Sequence, residues 1–274
     1  MNNRIILGAI AGDVIGSAYE FSPVKKLDFQ LFLGNGKSRL GSTFTDDSVM
    51  TVAIADWLLH GGSLASVMQY YGREYPNAGY GGMFSRWLID NNPQPYNSYG
   101  NGAGMRVSPV GWAFNTLEET LDAAEESAAV THNHPEGIKG AQAIASCIYL
   151  ARSGKSKGEI KEFVSRRFNY DLSRTCDAIR PSYCFNETCQ GSVPESIICF
   201  LESTDYESAV RLAVSLGGDA DTMGAMAGGI AEAFYGGVPE LIRAMTLGRI
   251  PDDFMEILYA FGEKYSINVW QSNC

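Results

Sequence analysis

The stretch Ser215-Leu216-Gly217-Gly218-Asp219-Ala220-Asp221-Thr222 places two aspartates at the head of an apolar run that keeps helical spacing to Phe234. A second stretch, Thr45-Asp46-Asp47, does the same before a run from Asp47 to Leu59. Adjacent carboxylates repel, so two such clusters are most easily reconciled in one fold if their oxygens converge on bound cations. Oxygen donors suit Mg2+ or Mn2+, and Thr45 or Thr222 can add a hydroxyl. Neither cluster has the neighbouring Cys or His that zinc prefers. Ser, Thr and Asp are also good helix N-caps, and acids suit a helix N-terminus. Capping uses one side chain at a time, however. It gives no reason for two acids in each cluster or for the Gly217-Gly218 pair. The two roles are compatible, because a helix start holds ligands on a rigid element.

Helical periodicity recurs outward from these stretches: Ile5 to Tyr19, Asp47 to Leu59, Leu117 to Val130, Glu136 to Ala151, Glu159 to Phe168, Pro194 to Leu201, Tyr206 to Leu216, Thr222 to Phe234 and Phe254 to Tyr265. Clear stops follow three of them at His60-Gly61-Gly62, Ser153-Gly154 and Gly236-Gly237. Strict period-two alternation is nearly absent, which predicts an all-α domain. Gly8, Gly12 and Gly16 fall on one face of the first helix, and Gly224 and Gly228 repeat the device. A helical glycine costs about 1 kcal/mol against alanine, so three in a line require close helix packing or ligand approach.

No Ser/Gly/Pro linker or block of like charge divides the 274 residues, and the acidic clusters have to meet, so the reading is one domain over residues 1–274. The 45% apolar content supports a sizeable core. Thirty glycines, about 11% against a usual ~7%, imply tight turns and close backbone approaches. The net charge of −10 leaves no basic footprint for a nucleic-acid backbone. An anionic ligand must then be received by local donors or by metal. Met1 to Gly8 carries one basic residue, and the apolar stretch is soon interrupted by Asp13, unlike a signal peptide. No run approaches the ~18 apolar residues of a membrane span. Cys147, Cys176, Cys184, Cys189, Cys199 and Cys274 form no CxxC pair and read as reduced thiols. The expectation is a soluble, cytoplasmic protein with no membrane partner.

Two long stretches lack periodicity, Asn91 to Gly111 and Asp171 to Val193, and long irregular loops in a compact domain are usually functional or mobile. The second is rich in aromatic and polar side chains. It suits either a lid over a planar ligand or an ordinary surface loop. In the first, Gly100-Asn101-Gly102-Ala103-Gly104 precedes Met105-Arg106, and such backbone can turn successive N–H groups toward a phosphate. It matches neither the P-loop nor the Rossmann fingerprint. Thr131-His132-Asn133-His134-Pro135 offers two imidazoles before a helix, with only His60 elsewhere, too few for a typical zinc site. His132 reads as a donor to a ligand phosphate or ribose, or else as a structural cap. His134-Pro135 fixes the helix start. Glu20 closes the glycine-faced helix as a metal ligand or general base, or as a solvated helix-end charge.

Together, Gly12-Asp13-Val14-Ile15-Gly16-Ser17-Ala18-Tyr19-Glu20, Phe44-Thr45-Asp46-Asp47-Ser48, Gly100 to Arg106, Thr131-His132-Asn133-His134 and Ser215 to Thr222 resemble the ADP-ribosylglycohydrolases. The motifs stand in that family's order and span about residues 5 to 240. The resemblance implies a single, orthogonally packed multi-helix domain holding two Mg2+ or Mn2+ ions. It makes Thr45, Asp46, Asp47, Asp219, Asp221 and Thr222 the metal ligands, and Glu20 and Asp46 the catalytic acids. It places the diphosphate on Gly100, Asn101, Gly102, Ala103 and Gly104, with Met105 and Arg106 in the substrate-binding set. His132 then faces ADP-ribose, Tyr183 or Phe185 stacks on adenine, and Gly191, Ser192 and Gly218 complete the substrate-binding set.

The implied activity is hydrolysis of the N- or O-glycosidic bond of an ADP-ribosylated protein or small molecule, with water attacking as oxocarbenium character develops. Asn101 stands where some members carry an acid, which argues against a covalent intermediate there. Glu20 fits the Gly-Asp-x-x-Gly-x-x-x-Glu segment of the serine-specific branch, but the segment is shared widely enough to leave arginine, serine or another acceptor open. The alternative is a non-catalytic ADP-ribose binder or a structural relative, as a crystallin on this fold illustrates.

Overall fold

The computed structural model describes residues 5–34 and 41–265; Met1 to Arg4, part of the leader reading, and Cys274 lie outside them. In chain order the helices are α1 (Gly8–Gly16), α2 (Asp46–His60), α3 (Leu64–Glu74), α4 (Gly82–Ile89), α5 (Gly102–Met105), α6 (Ser108–Ala113), α7 (Leu117–Ala129) and α8 (Pro135–Arg152). They continue with α9 (Lys157–Phe168), α10 (Cys176–Ile179), α11 (Cys189–Glu202), α12 (Tyr206–Ser215), α13 (Ala220–Tyr235), α14 (Glu240–Leu247) and α15 (Asp252–Lys264). The fold is all-α. Its one antiparallel bridge among the described residues, Gly100 to Thr188, ties the two irregular stretches of sequence together.

The spine is α1 packed on α13, and their glycines explain how two acid-bearing helices come so close. A Cβ added at Gly12 would lie 2.0 Å from the Gly224 carbonyl oxygen, and one at Gly16 would lie 2.2 Å from that of Ala220. Only hydrogen fits there, so the backbones touch. α1 is shorter than its periodicity suggests, since Ile5 to Leu7 precede the helix and it ends at Gly16. The Leu7 and Gly8 amides donate to the two oxygens of buried Glu232 on α13, each at 2.8 Å, which satisfies donors that a helix start leaves open. On the far side of α2, α15 buries Phe254, Leu258 and Phe261 completely, each contributing about 1.5–3 kcal/mol. This contact fixes α2 from outside while α1 fixes it from within.

Several boundaries differ from the sequence expectation. α11 begins at Cys189, five residues before Pro194, because Thr188 caps it by accepting from the Gly191 amide at 3.2 Å. Pro194 therefore sits inside the helix, at the loss of one backbone hydrogen bond. α5, α6 and α10 run four to six residues, too short to display a period. α3, α4 and α14 were not legible as periodic runs either, although Ser63 caps α3 and accepts from Ser66. No helix among the described residues is long and apolar enough to cross a membrane. The five described cysteines are free.

Candidate functional site

A cavity of about 580 Å3 opens where the end of α1, the head of α2, the Gly100 stretch and the head of α13 converge. It is lined by Glu20, Asp46, Asp47, Asp219, Asp221 and Thr222 on one side, and by Gly100, Asn101, Gly102, Met105, Arg106 and His132 on another. A second hollow of about 570 Å3 lies over the outer face of α9. It has no converging acids; exposed Arg166 there simply pairs with Glu162 at 2.8 Å.

The acids form two overlapping groups. Oxygens of Asp13, Asp47 and Asp221 lie within 4.8 Å of one another, as do those of Glu20, Asp219 and Asp221. Asp221 belongs to both. Among the described residues, no lysine, arginine or histidine forms an ion pair with any of them. Thr45 Oγ1 lies 3.2 Å and Thr222 Oγ1 3.3 Å from Asp47 Oδ2, while Asp47 Oδ1 is buried without a hydrogen-bond partner.

Asp13 is the member that sequence reading quoted but gave no role. Its carboxylate accepts from the Thr45 amide at 3.0 Å, the Thr45 hydroxyl at 2.8 Å, the Ser48 amide at 3.1 Å and the Ser48 hydroxyl. Four donors engage its two oxygens, so Asp13 acts as a brace setting the head of α2 against α1 rather than as a free ligand. An aspartate inside an otherwise apolar, fully buried helix was the signal available in the sequence.

Burial and mutual repulsion raise the whole set. Burial lifts Asp13 to about 6 against the pull of its hydrogen bonds. Burial and neighbouring Asp219 lift Glu20 to about 7, and burial with Asp13 and Asp219 lifts Asp46 to about 7. Asp47, Asp219 and Asp221 rise well above the ordinary carboxylate range, first by burial and then by a neighbouring acid, which is Asp221 for Asp47 and Asp219, and Glu20 for Asp221. An all-oxygen pocket that raises every carboxylate is the environment a hard divalent cation relieves.

The opposite wall is less of an amide nest than the glycines suggested. The Gly104 and Met105 amides donate to Asn101 O, Gly100 donates to Ser98 Oγ, and Asn101 donates to Glu187 O. That leaves Gly102 and Ala103 as the stretch's amides without a protein acceptor among the described residues. Ala103 and Gly104 are buried behind the surface. Arg106 supplies what the amides do not: a guanidinium 1% exposed, bordering the cavity, its pKa lowered by burial to about 10.

Tyr183, Gly191, Ser192 and Gly218 do not line the cavity. The Tyr183 ring packs on Gly218, where a Cβ would come within 2.3 Å, and its hydroxyl donates to Gly191 O at 2.6 Å. Ser192 Oγ donates to Thr188 O at 2.8 Å in the first turn of α11. Thr45 likewise stands behind the lining. Phe185 does reach the cavity, stacked on exposed Phe21 with ring centroids 6.3 Å apart. Tyr96, Asn97, Ser98 and Glu187 also line it and were not foreseen. Asn97 has a positive φ of 55°, a conformation that asparagine tolerates.

The ADP-ribosylglycohydrolase family model matches residues 4–265. The chain belongs to that family. It is 27% identical to the ADP-ribosylhydrolase ARH3 of Mus musculus, over 84% of this chain and 82% of that one. It is 26% identical to the ADP-ribosylarginine hydrolase Tri1 of Pseudomonas putida (strain GB-1), over 84% of this chain and 69% of that one. A solved structure described as an ADP-ribosylglycohydrolase-related protein complex superposes with a TM-score of 0.75 at 25% identity, covering 95% of this chain and 96% of that one. Family membership makes a glycohydrolase role the frame for the cavity.

Proposed function

We propose that this protein is a dinuclear Mg2+- or Mn2+-dependent hydrolase that cleaves the N- or O-glycosidic bond between ADP-ribose and a modified protein or small molecule, releasing ADP-ribose. The observation that carries this reading is Asp221, shared between two carboxylate groups that, among the described residues, form no ion pair with a cationic side chain. Thr45, Asp46, Asp47, Asp219, Asp221 and Thr222 are the residues that would hold the ions. The donor set is all oxygen and includes a buried, unpartnered Asp47 oxygen, which fits hard cations and not zinc. When bound, such ions neutralise the cluster and stabilise negative charge on ligand oxygens.

Glu20 is the residue assigned to proton transfer. Half-buried at the rim and raised to about 7, it is matched to taking a proton from an attacking water near neutral pH. Asp46, raised to a similar value, is the second acid beside it. Arg106 brings fixed positive charge to the wall where an anionic diphosphate would lie, within a protein whose net charge is −10. Phe185 is better placed than Tyr183 to lie against a planar base, since it lines the cavity and Tyr183 does not. The free cysteines support a reducing, cytoplasmic setting within the same proposal.

The test is a panel of arginine-, serine- and small-molecule-linked ADP-ribose incubated with the protein and Mg2+, with products identified by mass spectrometry. Free ADP-ribose from at least one linkage is expected. AMP as the product would assign pyrophosphate cleavage instead, and intact substrates with ligand-induced thermal stabilisation would assign a binding protein.

A further inference from the structure

The surroundings of His132 determine which of its ring nitrogens carries the proton. Arg106 is buried, and a guanidinium only donates. Its Nη2 donates to the Ser127 carbonyl and to Thr131 Oγ1, each at 2.9 Å. Thr131 is 0% exposed, and its Oγ1 lies 2.7 Å from His132 Nδ1. The threonine hydroxyl has one hydrogen, and among the described residues Nδ1 is the partner left to receive it. If Nδ1 carried a proton, that nitrogen and Arg106 would both donate to one oxygen, and the buried hydroxyl hydrogen would have no acceptor. Leaving a buried donor unsatisfied costs more than making the bond gains.

Hydrogen therefore runs in one direction, from Arg106 to Thr131 to His132. We infer that Arg106 and Thr131 are positioning residues that fix His132 as the neutral tautomer protonated on Nε2, a standing hydrogen-bond donor presented to the ligand. Burial and the nearby guanidinium both push the imidazole pKa well below its ordinary value, in keeping with a neutral ring. The Nε2 edge faces the glycine stretch: a Cβ at Gly102 would stand 3.0 Å from Nε2, and one at Gly100 would stand 3.6 Å from it. Among the described residues Nε2 has no protein acceptor, and His132 lines the cavity. Its acceptor is then an oxygen of the ligand, an assignment that rests on the ADP-ribose reading above. His132 contributes binding rather than proton transfer, because its Nδ1 is engaged and its Nε2 proton is already in place.

The experiment is long-range proton–nitrogen NMR of the uniformly 15N-labelled full chain, in which only three histidines have to be assigned, paired with calorimetric titration of ADP-ribose. The wild type should show His132 with a bare Nδ1 and a protonated Nε2. Thr131→Val should leave the ring exchanging between tautomers and weaken ADP-ribose by about tenfold, the scale of one hydrogen bond to a charged acceptor. Thr131→Ser should restore both readouts. A wild-type ring protonated on Nδ1 overturns the inference, as does a folded Thr131→Val protein with the tautomer unchanged. If Thr131→Val does not fold, the wild-type spectrum alone decides. A wild type that shows the expected tautomer but does not bind ADP-ribose supports the relay and overturns the ADP-ribose reading.

Discussion

Asn101 Nδ2 donates to Asp219 Oδ2 across 2.7 Å, joining two residues 118 positions apart in the chain. The same asparagine accepts the Gly104 and Met105 amides on its carbonyl, so one residue orders the glycine stretch and aims an acid of α13. Asn101→Ala should free Asp219 and weaken Mn2+ binding by about tenfold, the scale of a hydrogen bond to a charged group. Calorimetric titration with Mn2+ would measure it. An unchanged affinity would mean that Asp219 is oriented without Asn101.

Gly12 and Gly224 meet backbone to backbone, and Gly12→Ala would press a methyl carbon to 2.0 Å from a carbonyl oxygen. The helices have to separate, so thermal melting should show a loss of roughly 3 kcal/mol or more. Gly82→Ala, where a Cβ meets nothing within 4 Å, is the matched control and should change stability by less than about 0.5 kcal/mol. Equal melting temperatures for the two variants would contradict the packing.

The raised acids set a pH dependence whose sign is opposite to that of a salt-bridged protein. Asp13 at about 6, Glu20, Asp46 and Glu232 at about 7, and Asp47, Asp219 and Asp221, raised well above the ordinary carboxylate range, hold protons that the unfolded chain has released. Their contribution to stability is complete below the unfolded carboxylate range, near pH 4, and is lost as pH rises through about 6 to 7. Chelated, metal-free protein should therefore melt at progressively lower temperature from about pH 5 to about pH 8 in scanning calorimetry. Mg2+ should flatten that decline by balancing the ionised cluster. A melting temperature of metal-free protein that climbs across this range would contradict the raised values.

Glu20 is the group whose removal should separate chemistry from binding. Glu20→Gln keeps the shape and loses the base, so kcat should fall by roughly 10²–10⁴-fold while ADP-ribose affinity changes far less. Steady-state kinetics beside metal analysis and circular dichroism would show it. A folded, metal-loaded variant with nearly full activity would leave Glu20 a solvated rim charge.

Much of this arrangement was legible in the sequence because it is written in local signals. Paired acids at two helix heads and glycines every fourth residue are one-dimensional patterns, and they place Asp47, Asp221 and the α1–α13 contact. What was not legible depends on tertiary closure. Asp13 acquires its role only when Thr45 and Ser48 fold onto it. Tyr183 is turned away from the cavity by its contacts with Gly218 and Gly191, residues a sequence pattern cannot place beside it. The glycine stretch looked like an amide nest because nothing local shows that the Glu187 carbonyl and the Ser98 hydroxyl occupy two of its donors. α11 was cut short because Pro194 was read as a helix start, although Thr188 carried the stronger capping signal.

The central claim, that the acid cluster holds divalent cations needed to release ADP-ribose, is tested most directly by add-back of metal. Chelated protein, verified metal-free, is incubated with a mixed pool of ADP-ribosylated proteins, and free ADP-ribose is followed by mass spectrometry before and after Mg2+ or Mn2+ is restored. The account expects no release from the metal-free protein, recovery on add-back, and none from Asp221→Asn in either condition. Release of ADP-ribose by the metal-free protein at the metal-restored rate would contradict it.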